Sequence, residues 1–126
     1  SPPDSRYRVP AGDPMTAMHG ELAAGRWFHF SLVEQLAHVG SEIERTIRWR
    51  DKGNAEHAER AFERALELLD LTIADVKHRS RLRELTRLRE VLADCFWFEN
   101  SYGSSHESWR RYFHAFGHAA ALSRNR

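Results

Sequence analysis

From Ser31 onward the apolar residues recur at intervals of three and four, the repeat of helices with one buried face. Leu32, Leu36, Val39, Gly40, Ile43 and Ile47 draw the first stripe. Ser31 and Glu34 open it as a capping box: the hydroxyl accepts from a free backbone N–H, and the carboxylate accepts from the serine's own. Gly40 in mid-helix costs about 1 kcal/mol against alanine, which a close helix neighbour would offset. Asp51-Lys52-Gly53-Asn54 reads as stop, turn and next cap. A second stripe runs through Ala58, Ala61, Phe62, Ala65, Leu68, Leu69, Thr72 and Val76, with Lys77-His78-Arg79 placing cations at its C-terminal end. Leu82, Leu85, Leu88, Leu92, Cys95 and Phe96 form a third. Trp109, Tyr112, Phe113, Phe116, Ala119 and Ala120 form a fourth, opened by Ser104 and Glu107 as another capping box.

These stripes predict helices over about residues 31–50, 55–76, 80–98 and 104–122. Each is roughly 27–33 Å long, and connections of about three to six residues bring equal helices back alongside one another. The expected fold is therefore all-α: an up-down-up-down antiparallel four-helix bundle over residues 26–126. Residues 53–68 match the second half of a tetratricopeptide repeat, but no second copy follows at that repeat's period, so the match reflects helix packing.

Residues 1–25 differ in kind. They hold all four prolines and three of the seven glycines, and show no apolar period. The expectation is a disordered tail, or a vector-derived leader ahead of a native start at Met15 or Met18. The stretch lacks the basic and apolar regions of a signal peptide. At 126 residues the chain has the length of one domain. No apolar run approaches the roughly 20 residues that cross a bilayer, so neither a membrane span nor a membrane partner is expected. A single cysteine, Cys95, excludes an internal disulfide and a cysteine-rich zinc site, and the chain is expected to be cytoplasmic.

A net charge of +1 excludes a strongly basic nucleic-acid binder on bulk charge, yet the charges are segregated. Residues 54–76 carry six acids and two arginines; residues 77–90 carry six bases and two acids. Arg79, Arg83 and Arg87 recur every four residues opposite the leucine stripe, a row able to track phosphates. The alternative is that the row pairs with an acidic helix, in its own chain or a neighbour's. Arg110 and Arg111 form a second basic patch.

Eight histidines invite metal or catalytic readings. His114 and His118, one helical turn apart, could share a metal, but no third ligand pattern accompanies them, so no metal and no cofactor are expected. Arg111 and His118 fit an R-x6-H spacing. That spacing resembles the R-x4-6-H motif of HEPN ribonucleases, small helical bundles that dimerise. The resemblance implies an arginine and a histidine acting on a scissile phosphate without metal. Tyr112 departs from the polar residue that usually follows the arginine in that family.

Fourteen aromatic residues exceed what one short bundle must bury. Trp27, Phe28, Trp49, Trp97 and Phe98 fall off the stripes, which makes them candidates for an oligomer interface. The alternative is that segment 26–30 folds back over its own bundle end.

The stretch from Glu21 to Leu122 resembles a small uncharacterised bacterial four-helix-bundle family, through "ELAAGRW", "EQLAHVGSEIERTIRWRDKGN", "AFERALELLDLTI", "RLRELTRLREVL" and "RYFHAFGHAA". In fold it is similar to the ribosomal intervening-sequence protein family and to the accessory variability determinant of diversity-generating retroelements. Those likenesses imply ring-like oligomers and, for the retroelement protein, binding of nucleic acid and a reverse transcriptase through basic surface. The chain departs from that protein's strongly basic character. The combined expectation is a non-enzymatic homo-oligomeric accessory bundle, with RNA, DNA or a nucleic-acid enzyme as partner. The alternatives are a metal-independent ribonuclease and a purely structural protein–protein interaction module.

Overall fold

The computed structural model describes residues 25–124. Most of the segment expected to be a tail or leader, residues 1–24, lies outside the described residues. The described residues are helical, without a strand. Four α-helices follow one another: α1 (Leu32–Asp51), α2 (Ala55–Ala74), α3 (Leu82–Trp97) and α4 (His106–Arg124), with a 3-10 segment (Val76–Arg81) between α2 and α3. No helix among them is long and apolar enough to cross a membrane.

Helix α1 is the centre of the packing. It lies against α2 on one side and α4 on the other, while α3 packs on α2. The cross-helix pairs Glu42–Arg64 and Trp49–His57 show residue numbers rising on α1 as they fall on α2. Glu44–Arg110 and Gly40–Phe113 repeat that relation between α1 and α4, as Asp70–Arg89 and Phe62–Phe96 do between α2 and α3. Val39, Ile43 and Ile47 of α1, Phe62 and Leu69 of α2 and Leu92 of α3 are fully buried, and Trp109 and Phe113 of α4 complete the core.

Local chemistry sets the helix ends. The Ser31–Glu34 capping box forms as the sequence predicts. Gly53 takes φ +76, a left-handed value that glycine adopts without strain, and Asn54 caps α2. The predicted Ser104–Glu107 box does not form. Ser104 is instead held by Asn100, whose side chain bonds both the N–H and the carbonyl of Ser104. Helix α4 starts two residues later, where Ser105 and Ser108 each accept from the other's N–H. Asp94 anchors this connection by accepting from the N–H groups of Ser101 and Tyr102.

The end of α2 is a second correction. The stripe predicts helix through Val76, but α2 stops at Ala74 and Val76 is 80% exposed. Asp75 is extended and its carboxylate accepts from the N–H of Lys77, which starts the 3-10 segment. Lys77 and His78 therefore do not cap α2; they turn inward to Asp75 and Gln35. Leu82, predicted to be core, is exposed as a consequence, because the chain enters α3 from a tighter 3-10 segment.

Gly40 marks the closest approach of α1 and α4. A Cβ there would stand 2.6 Å from Cβ of Phe113, so no other residue fits without displacement. Gly117 on α4 differs: a Cβ there meets nothing within 4 Å. Gly40→Ala should therefore lower stability by about 1–3 kcal/mol, despite the roughly 1 kcal/mol that alanine adds to helix propensity. Gly117→Ala should raise it by up to about 1 kcal/mol. Urea unfolding of both variants checks the pair; equal stabilisation by both would contradict the close approach.

Candidate functional site

Three groups of residues carry chemistry: a buried polar cluster, an exposed basic surface on α3, and a groove between α1 and α4.

The buried cluster centres on Gln35. Its amide nitrogen donates to the carbonyl of Trp27 at 2.9 Å and to Asp75 Oδ2 at 3.1 Å. Its carbonyl accepts from His78 Nε2 at 2.7 Å. Lys77 Nζ donates to Asp75 Oδ2 at 2.6 Å and to the carbonyl of Phe28 at 2.7 Å. Trp27 Nε1 donates to Thr72 Oγ1 at 3.1 Å. Trp27, at 4% exposure, thus belongs to its own core rather than to an interface: segment 26–30 folds back over the bundle end. Burial raises the Asp75 carboxyl, but hydrogen bonds from Lys77 and Gln35 outweigh it and hold the group below its usual range. Burial lowers His78, against the pull of nearby Asp75.

The basic surface lies on α3 and the segment before it. Arg79, Arg83 and Arg87 are all exposed. Arg79 stands in the 3-10 segment, outside the α-helical register that the even spacing implies. The acidic helix α2 does engage α3, but through Arg89, whose Nε lies 2.7 Å from Asp70. Arg81 pairs with Glu84. Among the described residues Arg79 and Arg83 have no carboxylate partner, and the guanidinium of Arg87 lies 5.4 Å from the ring centre of exposed Tyr102. Phe98 (69% exposed) and Trp97 lie at the same end of α3, and Phe28 is exposed at the other end of the molecule. Trp49 is half-buried, between the His57 ring and the Lys52 ammonium.

The groove has a volume of about 800 Å³. Its lining includes the small residues Ala37, Gly40, Ser41 and Gly117 and the cations Arg45, Arg48, Arg110 and Arg111. Glu44 sits among them, accepting from Arg110 at 2.9 and 3.0 Å in a two-point pair and lying 3.4 Å from Arg48. The hydrogen bond from Arg110 holds Glu44 below its usual range against the effect of partial burial, and Glu44 raises Arg110 in return. The second basic patch of the sequence is thus divided: Arg110 is paired and Arg111 is not, among the described residues. Arg45 and Arg48 were missed because their helix shows balanced charge along the sequence. Only the packing of α4 sets them beside Arg110.

Apart from His78 in the buried cluster, the histidines of the α-helices divide between ring packing and exposed positions on α4. His38 and His57 pack tilted against Trp27 and Trp49, and His106 stacks flat on Phe96. His114 and His118 are exposed on α4, and no group of three metal-ligating side chains forms among the described residues. Arg111 and His118 are both exposed on α4, about 10.5 Å apart along its axis. No protein-family model, curated protein or solved structure matches the chain.

Both Asp75 and His78 are held below their ordinary values of 3.8 and 6.5. Each therefore stabilises the fold fully above its unfolded value and loses that contribution as pH falls through the folded one. The thermal midpoint should fall on acidification from pH 7 to 5, and less so in His78→Gln, whose amide still donates to Gln35. Gln35→Leu should cost about 2–3 kcal/mol at pH 7, because it orphans buried partners. Thermal melts across pH test both; parallel slopes in wild type and His78→Gln would remove His78 from the account.

Proposed function

We propose that the chain is an up-down-up-down antiparallel four-helix bundle acting as a homo-oligomeric accessory subunit that binds nucleic acid through α3. The pairing of residues across α1/α2, α1/α4 and α2/α3 supports the bundle topology. One observation carries the binding role: Arg79, Arg83 and Arg87 stay exposed without carboxylate partners among the described residues, although the acidic helix α2 packs on α3. Arg87 against Tyr102 adds a stacking surface, and aromatic rings beside a cationic row suit a single strand with unstacked bases. Exposed Phe98, Trp97 and Tyr102 at the adjoining end supply apolar area for self-association. Nothing in this surface calls for bond-making chemistry: its cations neutralise phosphates, and its rings hold bases.

Fluorescence anisotropy with a labelled 15-nucleotide oligothymidine tests the reading. Binding should saturate at low salt and weaken as salt rises, with a slope of about −0.7 per phosphate contact on a single strand. Arg83→Gln with Arg87→Gln should flatten that slope by about 1.4. Light scattering on a sizing column should return a mass above the monomer's 14.7 kDa. Absence of saturable binding at low salt, or a slope unchanged by the double substitution, would contradict the role of α3.

A further inference from the structure

The α1/α4 groove has three features that its packing does not require. Gly117 is the first. It stands on an α-helix, where glycine costs about 1 kcal/mol against alanine, and the space its Cβ would fill is open. No packing constraint among the described residues holds glycine there, in contrast to Gly40 one helix away. The second is Trp109, 6% exposed and part of the groove lining. Its indole N–H is the buried side-chain donor that finds no acceptor among the described residues. A buried donor left unmade costs about 1–3 kcal/mol, so an acceptor arriving through the groove is favoured. The third is charge: four arginines line the groove against one glutamate, and while Arg45 pairs with Glu42 and Arg48 and Arg110 share Glu44, Arg111 has no carboxylate partner among the described residues.

We propose that this groove docks an extended, acidic polypeptide segment of a partner protein. Its lining runs from Ala37 to Arg48 on α1, about 16 Å at the helical rise, the length of roughly five extended residues. The small lining residues admit a peptide backbone at close range, and Gly117 leaves the gap such a backbone occupies. A peptide carbonyl satisfies the Trp109 N–H once the long lining side chains shift aside. Carboxylates of the segment meet Arg111, which is unpaired among the described residues, and the outer edge of Arg48. Glu44, gripped by Arg110 and Arg48, shows that this groove already holds a carboxylate in two-point geometry. The groove lies on the α1/α4 side, separate from the α3 arginines, so the inference stands independently of nucleic-acid binding.

The test is a titration of the 15N-labelled full chain, following the Trp109 indole N–H resonance, assigned with Trp109→Phe. The probe is a blocked octapeptide of alternating glutamate and alanine; the controls are the glutamine–alanine octapeptide and an eight-nucleotide oligothymidine. The acidic peptide should shift the Trp109 resonance saturably, and the glutamine peptide should not. Arg111→Glu should weaken binding by about tenfold or more. Gly117→Leu should abolish the shift by filling the gap, with Gly117→Ala as a milder second variant should the leucine disturb folding, judged from the remaining resonances. The proposal is overturned by no saturable shift of Trp109, by a shift that persists in both Gly117 variants, or by oligothymidine shifting Trp109 at lower concentration than the peptide.

Discussion

The amide of Gln35 is the point on which the rest of the structure depends. It is fully buried, and a buried amide is tolerated only when its donors and acceptor are all used. Here they are: Trp27 and Asp75 accept, and His78 donates. The partners come from two distant pieces of chain, Trp27 before α1 and the Asp75–His78 turn after α2. Through them one side chain fixes segment 26–30 over α1, ends α2 at Ala74, and turns the chain into the 3-10 segment. The start of α3 follows from that turn, and with it the direction in which Arg83 and Arg87 leave the helix. The exposed basic surface is thus a consequence of a polar contact inside the core.

A second constraint acts on the opposite side. Gly40 lets α4 seat Phe113 directly on α1, which carries Arg110 to Glu44 and brings Arg111 and Arg48 to the same groove. The molecule's near-neutral charge is divided by these two packing events. Acidic α2 pairs with α3 through Asp70 and Arg89, and α1 pairs with α4 through Glu44 and Arg110. Arg79 and Arg83 on one side and Arg111 on another face solvent without a carboxylate partner among the described residues.

Periodicity made the four helices legible, together with the capping box at Ser31, the turn at Gly53 and the close approach at Gly40. The missed features all depend on polar contacts between residues far apart in sequence. Gln35 reads as a surface residue until Asp75 and His78 are seen around it, 40 and 43 positions away. Val76 and Leu82 match the apolar period but lie across the 3-10 segment, where that period no longer applies. Ser104 has the spacing of a cap but is claimed first by Asn100. Of the candidate surfaces, the α3 arginines were visible as a charge run. The groove was not, because its two lips come from helices about 65 residues apart and neither alone is strongly basic.

The two proposals together place a phosphate strand on one side of the molecule and an acidic peptide on the other. The most direct test is calorimetric titration of the glutamate–alanine octapeptide into the chain already saturated with 15-nucleotide oligothymidine. Unchanged peptide affinity and stoichiometry are predicted, since the two proposed sites lie on different faces. Displacement of one by the other would show a single anion-binding surface and contradict the separation of roles.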